Sequence, residues 1–136
     1  MDYFKKRRDY AAIFIRLIVG FHLIYGTQDN VFSYARMLEF KEFLDARGVP
    51  FPLYAAHLSV YAQFVCGILY ILGAATRYAA VVMIVNFIAA LIIAHRNDPY
   101  PPMFPALMML SASLFFLFHG AGRPSIDALW ERRGRR

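Results

Sequence analysis

Arg16, His22, His57, Gln63 and His95 are the residues of this sequence with chemistry to offer inside an apolar chain. His22 falls in the last third of the first apolar run, His57 at the start of the second and His95 at the end of the third, so imidazoles from three helices are expected at one shared depth near the outer side of a membrane. Tyr25 and Asp29 follow His22 on the same helix side and add hydrogen-bonding and acidic groups. Imidazoles on facing helices exchange protons with a quinone headgroup or ligate haem, and the five residues form the candidate pocket on that reading. The same spacing also fits amphipathic residues at a wet interface, where imidazole needs no task. Histidines this far apart in sequence carry no metal-ligand signature, so no metal site is assigned; quinone is the first cofactor to consider and haem the second. His119 belongs to the opposite end.

Those residues need helices to hold them. The stretch from Ala55 to Arg77, AAHLSVYAQFVCGILYILGAATR, is long enough to cross a bilayer, and Ser59, Gln63, Cys66 and Tyr70 recur on one side of it. A polar stripe facing hydrocarbon would leave the Gln63 amide unpaired at a cost of several kcal/mol, so that side faces protein. Asn86, mid-way along the third run, is the expected cross-helix partner of Gln63. Cys66 is a small packing residue at mid-membrane depth. Arg16 lies about 9 Å into the first helix and has two readings, a snorkelling side chain or a buried cation paired with a carbonyl, an anion or a quinone-like oxygen.

With 136 residues, 60% of them hydrophobic and only 18% charged, the chain has the composition of one small membrane domain. The expected fold is all-α, a four-transmembrane-helix bundle with helices at about 10–27, 55–75, 78–95 and 103–119. An amphipathic outer segment, 28–54, separates the first two, with a helix over 33–47 capped by Ser33, braced by Lys41 and Asp45 and stopped by Gly48, Pro50 and Pro52. Pro105 is expected in the first turn of the fourth span. The basic tail 120–136 holds a short interfacial helix capped by Ser125. With both termini on one side, that side carries ten Lys and Arg against four on the other, which places the termini in the cytoplasm and the chain in a bacterial or archaeal plasma (inner) membrane.

The net charge of +6 is a topology signal. Its Lys and Arg flank the spans instead of interleaving with aromatics, so nucleic acid is not a partner. No nucleophile motif, phosphate loop or paired-carboxylate site occurs.

Arg16 with Gly26, FLDARGVPFP from Phe43, GILYILGAATRYAA from Gly67, His95 closing the third span, and GAGRPSID from Gly120, in that order, resemble the DoxX family of small four-helix membrane proteins. Gln63 stands where that family commonly has an acidic residue and Asp29 where it commonly has a lysine. Some members of the family are subunits of thiosulfate:quinone oxidoreductases or of other membrane redox assemblies. The resemblance therefore implies a membrane subunit of a quinone-linked redox complex, catalytic or not, whose partners are lipid, other redox subunits or further copies of itself. The alternative is a non-catalytic scaffold that docks a redox enzyme through Phe40 and Phe43 or the arginine tail. A transporter is disfavoured, since no inverted repeat or broken helix is visible.

Overall fold

The computed structural model describes all 136 residues and contains helices only: α1 Asp2–Lys6, a 3-10 turn Arg8–Tyr10, α2 Ala12–Phe32, α3 Tyr34–Asp45, α4 Pro52–Leu72, α5 Thr76–Ile93, α6 Tyr100–His119 and α7 Ile126–Gly134. Four helices, built on α2, α4, α5 and α6, are long and apolar enough to cross a membrane. The all-α bundle read from the sequence is the observed architecture.

The boundaries differ in ways the local chemistry explains. The first span runs on to Phe32 instead of stopping near Thr27, because Gln28, Asp29 and Asn30 are polar without breaking a helix. Ser33 does break it. Its backbone is extended, and its hydroxyl accepts the N–H of Arg36 at 3.5 Å to start α3. Lys41 and Asp45 then pair at 3.9 Å along α3. The second span begins at Pro52, in the first turn where its missing N–H is harmless, and ends at Gly73, whose φ of +66° closes it. The fourth span starts at Tyr100, so Pro105 lies inside α6 and not in its first turn. Pro101 and Pro102 take the early positions instead.

α2 packs most extensively on α4, and α5 on α6, while the short turn after Gly73 makes α4 and α5 antiparallel neighbours; α2 and α6 barely meet. The α2–α4 contact is set by two glycines. A Cβ on Gly20 would lie 2.6 Å from the Gly67 carbonyl oxygen, and one on Gly67 would lie 2.9 Å from that of Gly20, so the backbones touch at this point. The core continues along the bundle through Leu23, Tyr70, Met83, Met109 and Phe116. Tyr70 also bonds Ser113 through its hydroxyl at 2.8 Å. A second cluster, Met37 and Leu44 on Ala56 and Val60, fastens α3 to the beginning of α4.

Both termini are held at one end of the bundle. Asp127 accepts the N–H groups of Ala75 and Thr76 at 2.7 and 3.0 Å and so caps the start of α5, while Arg123 donates its backbone N–H to the Asp9 carbonyl at 2.8 Å.

Candidate functional site

Arg16 is 1% exposed and every nitrogen of its guanidinium is engaged. Nε donates to the Tyr70 carbonyl at 2.9 Å, Nη2 to that of Ile71 at 2.9 Å, and Nη1 to those of Pro124 at 2.6 Å and Ala121 at 3.2 Å. Tyr70 and Ile71 belong to the last turn of α4, whose carbonyls lack the N–H of a following helical turn; that of Tyr70 receives the Gly73 N–H at 3.2 Å and has room for a second donor. Arg16 supplies that partner and ties α2, α4 and the loop before α7 into one knot. Of the two sequence readings, snorkelling fails, because the head is inside protein; the buried reading holds, with carbonyls as the partners.

A separate cavity of about 610 Å³ lies further along the bundle, within the usual range for a small-molecule site. All four spans contribute to its wall. His22, Gln63 and His95 line it; Arg16 and His57 do not. Phe40, Phe43, Leu44 and Val49 cover its far end, so the two aromatics read from the sequence as an outward docking face belong to the cavity wall. Leu58, Val82 and Val85, also on the wall, are 63%, 45% and 64% exposed, which makes the cavity open sideways between α4 and α5. An apolar molecule dissolved in the bilayer has a route in.

The polar part of that wall is a short chain of hydrogen bonds. Ser59 donates its hydroxyl to Asn86 Oδ1 at 2.7 Å and accepts from Gln63 Nε2 at 3.1 Å. The pairing of Asn86 with Gln63 expected from the sequence is thus bridged by Ser59. Thr76 Oγ1 is the only fully buried side-chain polar atom without a partner, so Gln63 Oε1 and Asn86 Nδ2, which make no bond within the protein, are not fully buried, and both residues line the cavity. One offers an acceptor and the other a donor.

His22 and His57 do not share a depth. His22 is two residues beyond the Gly20–Gly67 crossing, about 3 Å, and Gln63 four residues, about 6 Å, so these two lie at nearly one level. His57 is ten residues away, about 15 Å, bonding the Leu53 carbonyl through Nδ1 at 2.9 Å and stacking on Tyr61. His95 follows the end of α5, where its Nδ1 meets Asp98 Oδ2 at 2.9 Å. No cluster of His, Cys, Asp or Glu could hold a metal ion. Sequence reasoning does not pair Asp98 with His95, although its spacing three residues on is the available signal; Asp98 itself is not on the cavity wall.

The profile of the DoxX family matches residues 11–96, more than half of the chain. The chain belongs to the DoxX family. Its similarity extends beyond that stretch: the uncharacterized membrane protein Rv3486 of Mycobacterium tuberculosis is 30% identical over 138 residues, covering 90% of this chain and 83% of that protein. No solved structure matches this DoxX protein. Within the family match lie Arg16, Gly20, Gly67 and Gly73, the residues that fix how α2 meets α4, as well as His22, Gln63 and His95 on the cavity wall.

Proposed function

We propose that this DoxX protein is the membrane subunit of a quinone-linked redox complex in the bacterial or archaeal inner membrane, with both termini in the cytoplasm, and that its lateral cavity receives the quinone headgroup. The observation carrying the reading is the pair of unused amide atoms, Gln63 Oε1 and Asn86 Nδ2, on residues of the wall of a largely apolar cavity open to lipid depth. Their chemistry fits the group. Asn86 donates to a ring carbonyl, Gln63 accepts from a ring hydroxyl, and His22, at nearly the level of Gln63, exchanges the proton. A bound quinone would take two electrons from the redox partner and two protons, becoming the quinol. The chain's own work is to bind, orient and keep the ring beside a titratable imidazole, while the exposed gap between Leu58 and Val85 leaves room for the prenyl tail.

The test is extraction of the protein from its native membrane in mild detergent, with solvent extraction and mass spectrometry of bound quinone, followed by calorimetric titration with a short-chain quinone. Retained quinone, and affinity lowered tenfold or more in both Asn86→Leu and Gln63→Leu with melting temperature held, supports the reading. Absence of both retention and titratable binding overturns it.

A further inference from the structure

The end of the bundle that carries both termini has its own cavity, about 510 Å³, polar where the first is apolar. Arg77, Arg123 and His119 line it together with Asp9 and Glu131. Opposite charges around one small space ordinarily find each other, yet here none do. The three ion pairs of the molecule, Arg36–Glu39, Lys41–Asp45 and His95–Asp98, all lie at the far end, between α3 and the loop after α5.

What holds these groups apart is the fold. Arg77 is drawn against the end of α6, where Nη2 donates to the Phe118 carbonyl at 3.5 Å and the guanidinium lies alongside Gly120. Arg123 is fixed through its backbone N–H to the Asp9 carbonyl at 2.8 Å, and its guanidinium makes no ion pair with the Asp9 carboxylate. The carboxylate nearest the helix end, Asp127, accepts the N–H groups of Ala75 and Thr76, and the cation its charge acts on is the buried Arg16, not Arg77 or Arg123. Separated cations and carboxylates therefore surround a space at the level where α5 begins and α6 ends, the depth of lipid headgroups. Trp130 and Tyr78, side chains suited to that depth, complete the wall.

We propose that this cavity binds the phosphoethanolamine headgroup of one glycerophospholipid. The phosphate is held by the guanidiniums of Arg77 and Arg123, which suit phosphate oxygens through charge and paired N–H donors. The ammonium is held by the carboxylates of Asp9 and Glu131. A purely anionic headgroup would leave those two carboxylates facing it, and a choline headgroup has no N–H to donate to them. This site is independent of the quinone reading.

The chain has one tryptophan, and it stands on this wall, so binding has a local optical signal. The experiment titrates the detergent-solubilised full chain with short-chain phosphatidylethanolamine, phosphatidylglycerol and phosphatidylcholine, and separately with free phosphoethanolamine and inorganic phosphate, reading Trp130 fluorescence and lipid retention by native mass spectrometry. The expected result is one phosphatidylethanolamine per chain, at least tenfold preferred over the other two lipids. Affinity should fall at least tenfold for every phospholipid in R77Q/R123Q, and the preference for phosphatidylethanolamine should vanish in D9N/E131Q. All four residues are exposed, so these variants fold, which circular dichroism checks. Equal binding of the three lipids, or retention unchanged in R77Q/R123Q, overturns the proposal. Free phosphoethanolamine binding as tightly as the lipid overturns the lipid as its source.

Discussion

Arg16 Nε lies 2.9 Å from the carbonyl oxygen of Tyr70, a residue 54 positions away, and this bond joins the first span to the end of the second inside protein. A guanidinium is suited to the task because its five donors lie in a fixed plane, enough to serve several carbonyls at once. Gly73 must be a glycine beside it: its φ is +66°, and a Cβ there would lie 2.7 Å from Arg16 Nη2.

Arg16→Met should therefore destabilise the protein severely. Four carbonyls lose their shared donor; that of Tyr70 keeps the Gly73 N–H, and each buried acceptor left without one costs about 1–3 kcal/mol. The expected loss is above about 3 kcal/mol, visible as a large fall in melting temperature in detergent. Arg16→Lys should recover only part of it, since an ammonium is a compact charge with three donors. A Met variant that melts with the parent would show that the knot is not what holds this end together.

The two glycines of the α2–α4 crossing make a sharper pair of expectations when set against a third. Gly67→Val forces backbones apart where a Cβ already meets the Gly20 carbonyl at 2.9 Å and the Leu23 Cβ at 3.0 Å, and should cost about 1–3 kcal/mol or more. Gly26→Ala lies on the same helix as Gly20 but meets nothing within 4 Å, and should stabilise by about 0.5–1 kcal/mol through helix propensity. Opposite signs in thermal denaturation are the expected outcome; equal effects would mean that the close approach does not set the packing.

How much of this was legible in the sequence differs from residue to residue. Apolar run length gave the four spans, Ser33 announced its own cap, and the spacing of Ser59, Gln63, Cys66 and Tyr70 placed all four on the protein side of α4. Local pattern governs such features. The partners of Arg16 were not legible, because a backbone carbonyl at Tyr70 or Pro124 has no side-chain signature. The histidine levels were not legible either: how far α2 slides along α4 is decided by the Gly20–Gly67 contact, and once that is fixed His22 and His57 stand about 12 Å apart in depth. Sequence offered the candidates, and only helix register separated those on the cavity wall from those outside it.

The cap on α5 gives a test at the other end. Asp127→Ala removes a side chain that accepts two N–H groups, and a lost helix cap costs about 0.5–2 kcal/mol. The carboxylate is the side-chain tie between α7 and the start of α5, so with only the backbone bond from position 127 to the Gly73 carbonyl at 2.9 Å remaining, α7 should loosen, and trypsin should cleave at Arg132 and Arg133 faster than in the parent. Asp127→Asn keeps an acceptor for one of the two N–H groups and should fall between. Unchanged cleavage in the Ala variant would mean that α7 is held by something other than this carboxylate.

The histidines supply the most discriminating comparison for the cavity. His22 lines it at nearly the level of Gln63, whereas His57 is outside it, bonded to the Leu53 carbonyl and stacked on Tyr61. His22→Ala should weaken binding of a short-chain quinone about tenfold, corresponding to about 1.4 kcal/mol, while His57→Ala should leave it unchanged. Neither imidazole is buried in the core, so both variants should melt near the parent temperature. A loss of binding with His57→Ala and none with His22→Ala would put the ligand at the mouth of the bundle, near α3, and would remove the Gln63 level from the site.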